Sequence, residues 1–322
     1  MFLNILLILI GIVILAYGSE ITIENAKELA KKMGVSELFI GLTVASIGSS
    51  LPEIFTGVMS GIQILLNPHN PEFQIYSSGI AVGNIVGSDI AQITILLGIV
   101  ALFGTLKISR ETLKRDGLML IFSIILMFLA CIDLKITQLE GILLMICYAG
   151  YIYILVRKED FSNLHKVRKR EIFRLTSITF IGILAVVGAS YMVVDNSISI
   201  ATELGVGTYI IGLLVGLGTS MPELVISLQA VLKKSHAISL GNLIGSNITD
   251  PLLSLGAGAS VVGFSVMKST LFFDIPFWAL STLFVLIVLS RRLEIKKPIP
   301  YFLMGIYLLF MALKVFVPVL SS

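Results

Sequence analysis

Two short stretches deep inside apolar runs constrain this chain most: Gly48-Ser49-Ser50-Leu51-Pro52-Glu53 and Gly218-Thr219-Ser220-Met221-Pro222-Glu223. Each sets a carboxylate directly after a proline, with two hydroxyls just before it. Proline lacks a backbone donor and clashes with the preceding turn, so a helix is disturbed there. In lipid such a defect survives only where protein buries it or a water-filled cavity meets it. Two broken helices, each with a glutamate, read as one midplane cation site built from two halves of a transporter.

The surrounding sequence supports a membrane setting. Of 322 residues, 56% are hydrophobic and 13% charged, and the mean hydropathy is +0.99. A soluble domain carries about 25% charged residues. The apolar runs predict ten helical spans, near 2–18, 38–65, 79–104, 117–132, 137–156, 175–194, 206–232, 237–263, 271–290 and 299–319. The fold class expected is an all-α polytopic membrane protein with no soluble domain. The first run has no basic residue before it and further spans follow, so it is expected to be a first helix and not a secretory signal. Residues 19–37 read as a solvated helical segment, and 66–78, with Pro68 and Pro71, as a loop.

The halves repeat. Glu24-Asn25 and Gly34-Val35 recur as Asp195-Asn196 and Gly205-Val206, 171 residues on; the Pro-Glu motifs are 170 apart. Gly83-Asn84-Ile85-Val86-Gly87-Ser88-Asp89 recurs 158 residues on as Gly241-Asn242-Leu243-Ile244-Gly245-Ser246-Asn247. The order is kept and spacing changes only in joints, as an internal repeat requires. The expected organisation is a first five-helix repeat over 1–156, with motifs in 41–60 and 83–92; a basic cytoplasmic linker over 157–174; and a second repeat over 175–322, with motifs in 212–230 and 241–250. Five spans per half invert the second half. This topology puts 20 of the 23 lysines and arginines on one side, leaving Lys135, Lys268 and Lys314 on the other. The positive-inside rule makes the rich side cytoplasmic, so both termini are expected outside a cell membrane.

The chemistry follows from what the runs contain. Neither run holds a lysine or arginine to pair with Glu53 or Glu223, and an unpaired carboxylate in lipid is costly. Ser49, Ser50, Thr219 and Ser220 offer neutral oxygen, and the breaks are expected to free carbonyls within 43–47 and 213–217. Calcium takes about six to eight oxygen ligands. Cys131 and Cys147 lie inside apolar runs and His69, His165 and His236 in loops, so a sulfur or imidazole centre is not expected. Gly83 and Gly87, like Gly241 and Gly245, have the spacing that lets helices approach closely. Beside them Ser88 and Gln92 share one helix face, as do Ser246 and Asp250, and both faces can complete an oxygen cage. Asp89 lies one position round from Ser88 and ranks below Asp250. No nucleotide-binding glycine-lysine loop is present, and no histidine lies in a span. The chain therefore reads as a secondary transporter and not an enzyme, without cofactor. Its partners are the bilayer and inorganic cations. The basic clusters sit between apolar runs, against nucleic acid, and no obligatory protein partner is evident.

The paired motifs resemble the two repeats of the cation/calcium antiporter superfamily, and are most similar to its prokaryotic, archaeal-type sodium/calcium exchangers. The resemblance covers essentially all ten spans. It implies calcium-for-sodium exchange by alternating access, with Glu53 and Glu223 as central calcium ligands. Ser49, Thr219 and backbone carbonyls near Ser46 and Gly216 would complete that site. Ser50 and Ser220 would line flanking sodium sites, and Ser88, Gln92, Ser246 and Asp250 would contribute from the third and eighth spans. Spans one and six would slide against the other eight. Glutamine at position 92 is similar to the proton/calcium branch, whereas the first Pro-Glu motif is unlike it. Proton/calcium, or other divalent cation, antiport on the same fold is the alternative.

Overall fold

The computed structural model describes residues 2–159, 169–203 and 218–320, and is helical almost throughout. In chain order the helices are α1 (Phe2–Met33), α2 (Glu37–Ser49), α3 (Leu51–Leu66), α4 (Pro71–Phe103), α5 (Arg110–Ala130), α6 (Gln138–Lys158), α7 (Lys169–Glu203), α8 (Met221–Leu232), α9 (236–262), α10 (Thr270–Arg292) and α11 (Ile299–Leu320). Among the described residues, five helices are long and apolar enough to cross a membrane, or six if α2 and α3, bent by 44° at Ser50, form one span. The expected seventh span lies partly outside the described residues.

Residues 19–33 are helical, as expected, and continue α1 without a break. One expectation is corrected. The 66–78 loop shrinks to 67–70, because Asn70 Oδ1 accepts the Phe73 N–H at 3.1 Å and Pro71 opens α4. An Asn cap followed by proline in the first turn is a strong helix start, and it outweighs the turn character of the Asn-Pro sequence.

Helix α1 packs chiefly along α7, and α9 runs through the centre against α2, α3, α6 and α8. The central crossings are backbone to backbone. A Cβ on Gly241 would fall 2.8 Å from the Leu38 carbonyl oxygen and 3.0 Å from Gly41 Cα. One on Gly258 would fall 2.7 Å from the Gly57 carbonyl. The first half's glycines behave differently: a Cβ on Gly83 or Gly87 would meet no described atom within 4 Å outside its own helix, and both line a cavity of about 350 Å³. Close packing thus holds for Gly241 and Gly245, and is not seen for their counterparts among the described residues.

Among the described residues, two short antiparallel ladders join distant parts of the chain. Leu106–Lys107 pairs with Glu294–Ile295, and Lys135–Ile136 with Phe264–Ser265. Among the described residues, four π-helical turns interrupt the α-helices, at Gly41–Ala45, Gln92–Leu96, Asp250–Ser254 and Thr270–Asp274. Single π turns inside α-helices recur at functional sites.

Candidate cation-binding site

Several of the polar side chains singled out in the sequence are joined by hydrogen bonds where α2 breaks into α3, Ser49 with Ser246 and Ser50 with Glu223. Pro52 and Pro222 each sit in the first turn of a helix, after Ser50 (φ −78°, ψ 7°) and Ser220 (φ −89°, ψ 9°). The break places Glu53 and Glu223 in the first turns of α3 and α8, where the helix dipole favours negative charge.

Glu53, Glu223 and Asp250 are all fully buried. Neither carboxylate oxygen of Glu53 has a hydrogen-bond partner, and Oε2 of Glu223 has none. Glu223 Oε1 accepts from Ser50 Oγ at 3.5 Å. Asp89 is a fourth fully buried acid. None of the ion pairs among the described residues involves these four acids. A buried carboxylate without partner or counter-charge is one of the costliest groups a protein can hold. Several together are characteristic of a site that takes its positive charge from outside the chain.

Around them lies neutral oxygen. Ser49 Oγ donates to Asn242 Oδ1 at 3.2 Å and lies 3.5 Å from Ser246 Oγ. Gln92 Nε2 and Ser254 Oγ donate to the Asp250 carboxylate at 3.0 and 3.4 Å, while Ser88 Oγ donates to the Ile85 carbonyl at 2.9 Å. Ser220 Oγ is buried without a partner, and Thr219 is half-buried beside it. Ser46 donates to the Leu42 carbonyl at 2.9 Å and lies 3.4 Å from Thr249 Oγ1. That Leu42 carbonyl falls in the π turn, where the Ser46 N–H reaches back to Gly41 instead. The Ser46 hydroxyl thus takes the Leu42 carbonyl that the main chain releases. The Ser46 carbonyl accepts the Ser50 N–H at 3.0 Å. Gly216 and the carbonyls of 213–217 lie outside the described residues.

Asp89, ranked below Asp250, is fully buried with both carboxylate oxygens unpartnered. Among the described residues no group of three or more His, Cys, Asp or Glu closes round one point. A cation here must therefore draw on hydroxyls and carbonyls as well as carboxylates. Several neighbours were not singled out from the sequence as site residues. Asn242 Nδ2 donates to Ser227 Oγ at 2.9 Å and to the Glu223 carbonyl at 3.3 Å. Tyr148 Oη lies 3.0 Å from Thr249 Oγ1. Gln92 donates through Nε2 to Asp250 Oδ2 at 3.0 Å, and its Oε1 accepts from Asn247 Nδ2 at 2.8 Å. Asn242 and Asn247 carried a signal, since each lies in the second Gly-Asn motif; Tyr148, on α6, carried none.

The chain is similar to known proteins over most of its length. The family model for sodium/calcium exchanger proteins matches residues 3–157 and 175–316. The sodium/calcium exchanger MaX1 of Methanosarcina acetivorans is 32% identical over 358 residues, covering 96% of this chain and 97% of the relative. The uncharacterized membrane protein MJ0091 of Methanocaldococcus jannaschii is 31% identical over 256 residues, covering 78% and 80%. A solved structure of the sodium–calcium exchanger NCX_Mj, soaked without sodium or calcium, superposes with a TM-score of 0.82 at 25% identity, covering 96% of this chain and 98% of that one.

Proposed function

This chain belongs to the sodium/calcium exchanger protein family, multi-pass membrane proteins that are secondary transporters and not enzymes, and from that premise we propose that it exchanges calcium for sodium at the buried acidic cluster. The observation that carries the proposal is the pair of helix breaks that aim Glu53 and Glu223 into one interior with three of their four oxygens unpartnered. In this reading both glutamates bind calcium, helped by Ser49, Thr219 and carbonyls near Ser46 and Gly216. Ser50, Ser220, Ser88, Ser246 and Asp250 hold the monovalent counter-ions. Gln92 acts by fixing Asp250, since its oxygen is committed elsewhere. The acids must be neutralised to cross the low-dielectric interior, by calcium or by the counter-ion, and that requirement couples the two flows.

We also infer ten spans in two inverted five-helix repeats, over 1–156 and 175–322, with 157–174 as a cytoplasmic joint. The π turns support this: Gln92 and Asp250 each open one, 158 residues apart. The ladders support it too, each pairing a strand of one half with a strand of the other. Alternating access follows if α1 and α7, which pack chiefly on each other, slide as one body past the rest. Membrane-impermeant labelling of single cysteines added at each terminus is expected to mark both from outside a cell membrane; marking from opposite sides would break the inverted arrangement.

The direct test is calcium flux in proteoliposomes under an imposed sodium gradient or an imposed pH gradient. Sodium-driven flux is the expected result. Flux driven by pH alone would replace sodium with protons as the coupling ion, the reading that a glutamine at position 92 favours.

A further inference from the structure

One polar chain leads away from the acidic cluster with a fixed direction. Trp278, on α10, donates its indole N–H to Asn247 Oδ1 at 3.0 Å. Asn247 Nδ2 donates to Gln92 Oε1 at 2.8 Å and to the Leu243 carbonyl at 3.3 Å. Gln92 Nε2 donates to Asp250 Oδ2 at 3.0 Å. Trp278, Asn247, Gln92 and Asp250 are all fully buried.

The ends of this chain can each act in one sense only. An indole N–H is a donor and never an acceptor, and a backbone carbonyl is an acceptor and never a donor. Trp278 on one side and the Leu243 carbonyl on the other therefore allow Asn247 a single amide orientation. Asn247 in turn allows Gln92 only one. We propose that Trp278 and Asn247 are positioning residues that turn the Gln92 amide nitrogen towards Asp250 and withhold its oxygen from the transported cation, so setting how many oxygens this corner of the site offers. The inference rests on the functional reading above, because it takes Asp250 as a cation ligand. Its consequence is selectivity: a cation beside Asp250 finds a carboxylate already held by an amide, and one neutral ligand fewer than the residue types suggest. Hard cations are discriminated by oxygen number and by rigidity.

The test compares Asn247→Leu and Trp278→Phe in the native background and in Gln92→Met. Calcium half-saturation and maximal rate are read under whichever gradient, sodium or pH, drives wild-type flux, so failure of sodium coupling leaves the comparison intact. With Gln92 present, Asn247→Leu frees the amide to offer its oxygen. Half-saturation is expected to fall by about three- to tenfold, the range one added polar interaction gives, with the maximal rate little changed. Trp278→Phe shifts it less in the same direction. In Gln92→Met neither substitution shifts it further. Equal shifts in both backgrounds, or a rise in half-saturation, would overturn the proposal. Trp278 is the single tryptophan, so its emission reports the first bond separately. Asn247→Leu is expected to move emission to shorter wavelength, and an unchanged spectrum would also overturn it.

Discussion

Glu53→Gln, or Glu223→Gln, is expected to abolish calcium exchange while leaving the ion-free protein at least as resistant to heat as the native chain. Both outcomes come from one fact: these carboxylates are fully buried and three of their four oxygens have no partner. Such a group destabilises the empty protein and stabilises the loaded one. Replacing it by an amide of the same shape removes a desolvated charge, which favours the apo fold. The same change removes an anionic ligand. Loss of one partner from a buried charge pair costs about 3 kcal/mol or more, roughly a hundredfold in affinity. Proteoliposome flux measures the loss of transport. Thermal unfolding in detergent measures the rest: calcium should raise the native Tm, as any ligand binding only the folded state does, and should not raise that of the variants. Transport that survived in the Glu53→Gln, Glu223→Gln double variant would end the assignment.

Gly258→Val is the second large effect. A Cβ there would sit 2.7 Å from both the carbonyl carbon and oxygen of Gly57, which are main-chain atoms without freedom to swing aside. Helices α3 and α9 would have to separate. Overpacking a tight contact costs roughly 1–3 kcal/mol, and a backbone crossing lies at the upper end. The damage does not stay local, since Glu53 stands in the first turn of α3 and Asp250 opens the π turn of α9. Lower Tm and lost flux are expected together. Gly150→Ala is the matched control, because its Cβ would meet nothing within 4 Å. In a helix that exchange is neutral to mildly stabilising. Comparable damage from both substitutions would show that the crossing is not what the glycine protects.

What could be read from the sequence was what chemistry makes rare. A Pro-Glu pair inside apolar runs is conspicuous because both residues are unfavourable in lipid, and that alone located α3, α8 and their acids. The long apolar helices were legible from run length, and the capped start of α4 at Asn70 was lost because Asn and Pro are also turn residues. The π turns left no local signature, since their dihedrals stay helical: Gly41, the first residue of one, has no unusual φ or ψ. Gln92 was recognised as a site residue by its register with Ser88. Which end of its amide faces Asp250 depends on Trp278, 186 positions away in the chain, and no pattern of spacing encodes that. The differing surroundings of Gly83 and Gly241 were equally hidden, because identical motifs meet different neighbours.

The two ladders carry a consequence for synthesis. Leu106–Lys107 and Lys135–Ile136 find their backbone partners only in residues 294–295 and 264–265. A nascent chain leaves the ribosome with those amides and carbonyls unmatched until nearly all of it has been translated, and buried main-chain groups demand partners. Insertion into the bilayer can proceed helix by helix, but closure waits for the carboxy-terminal half to arrive.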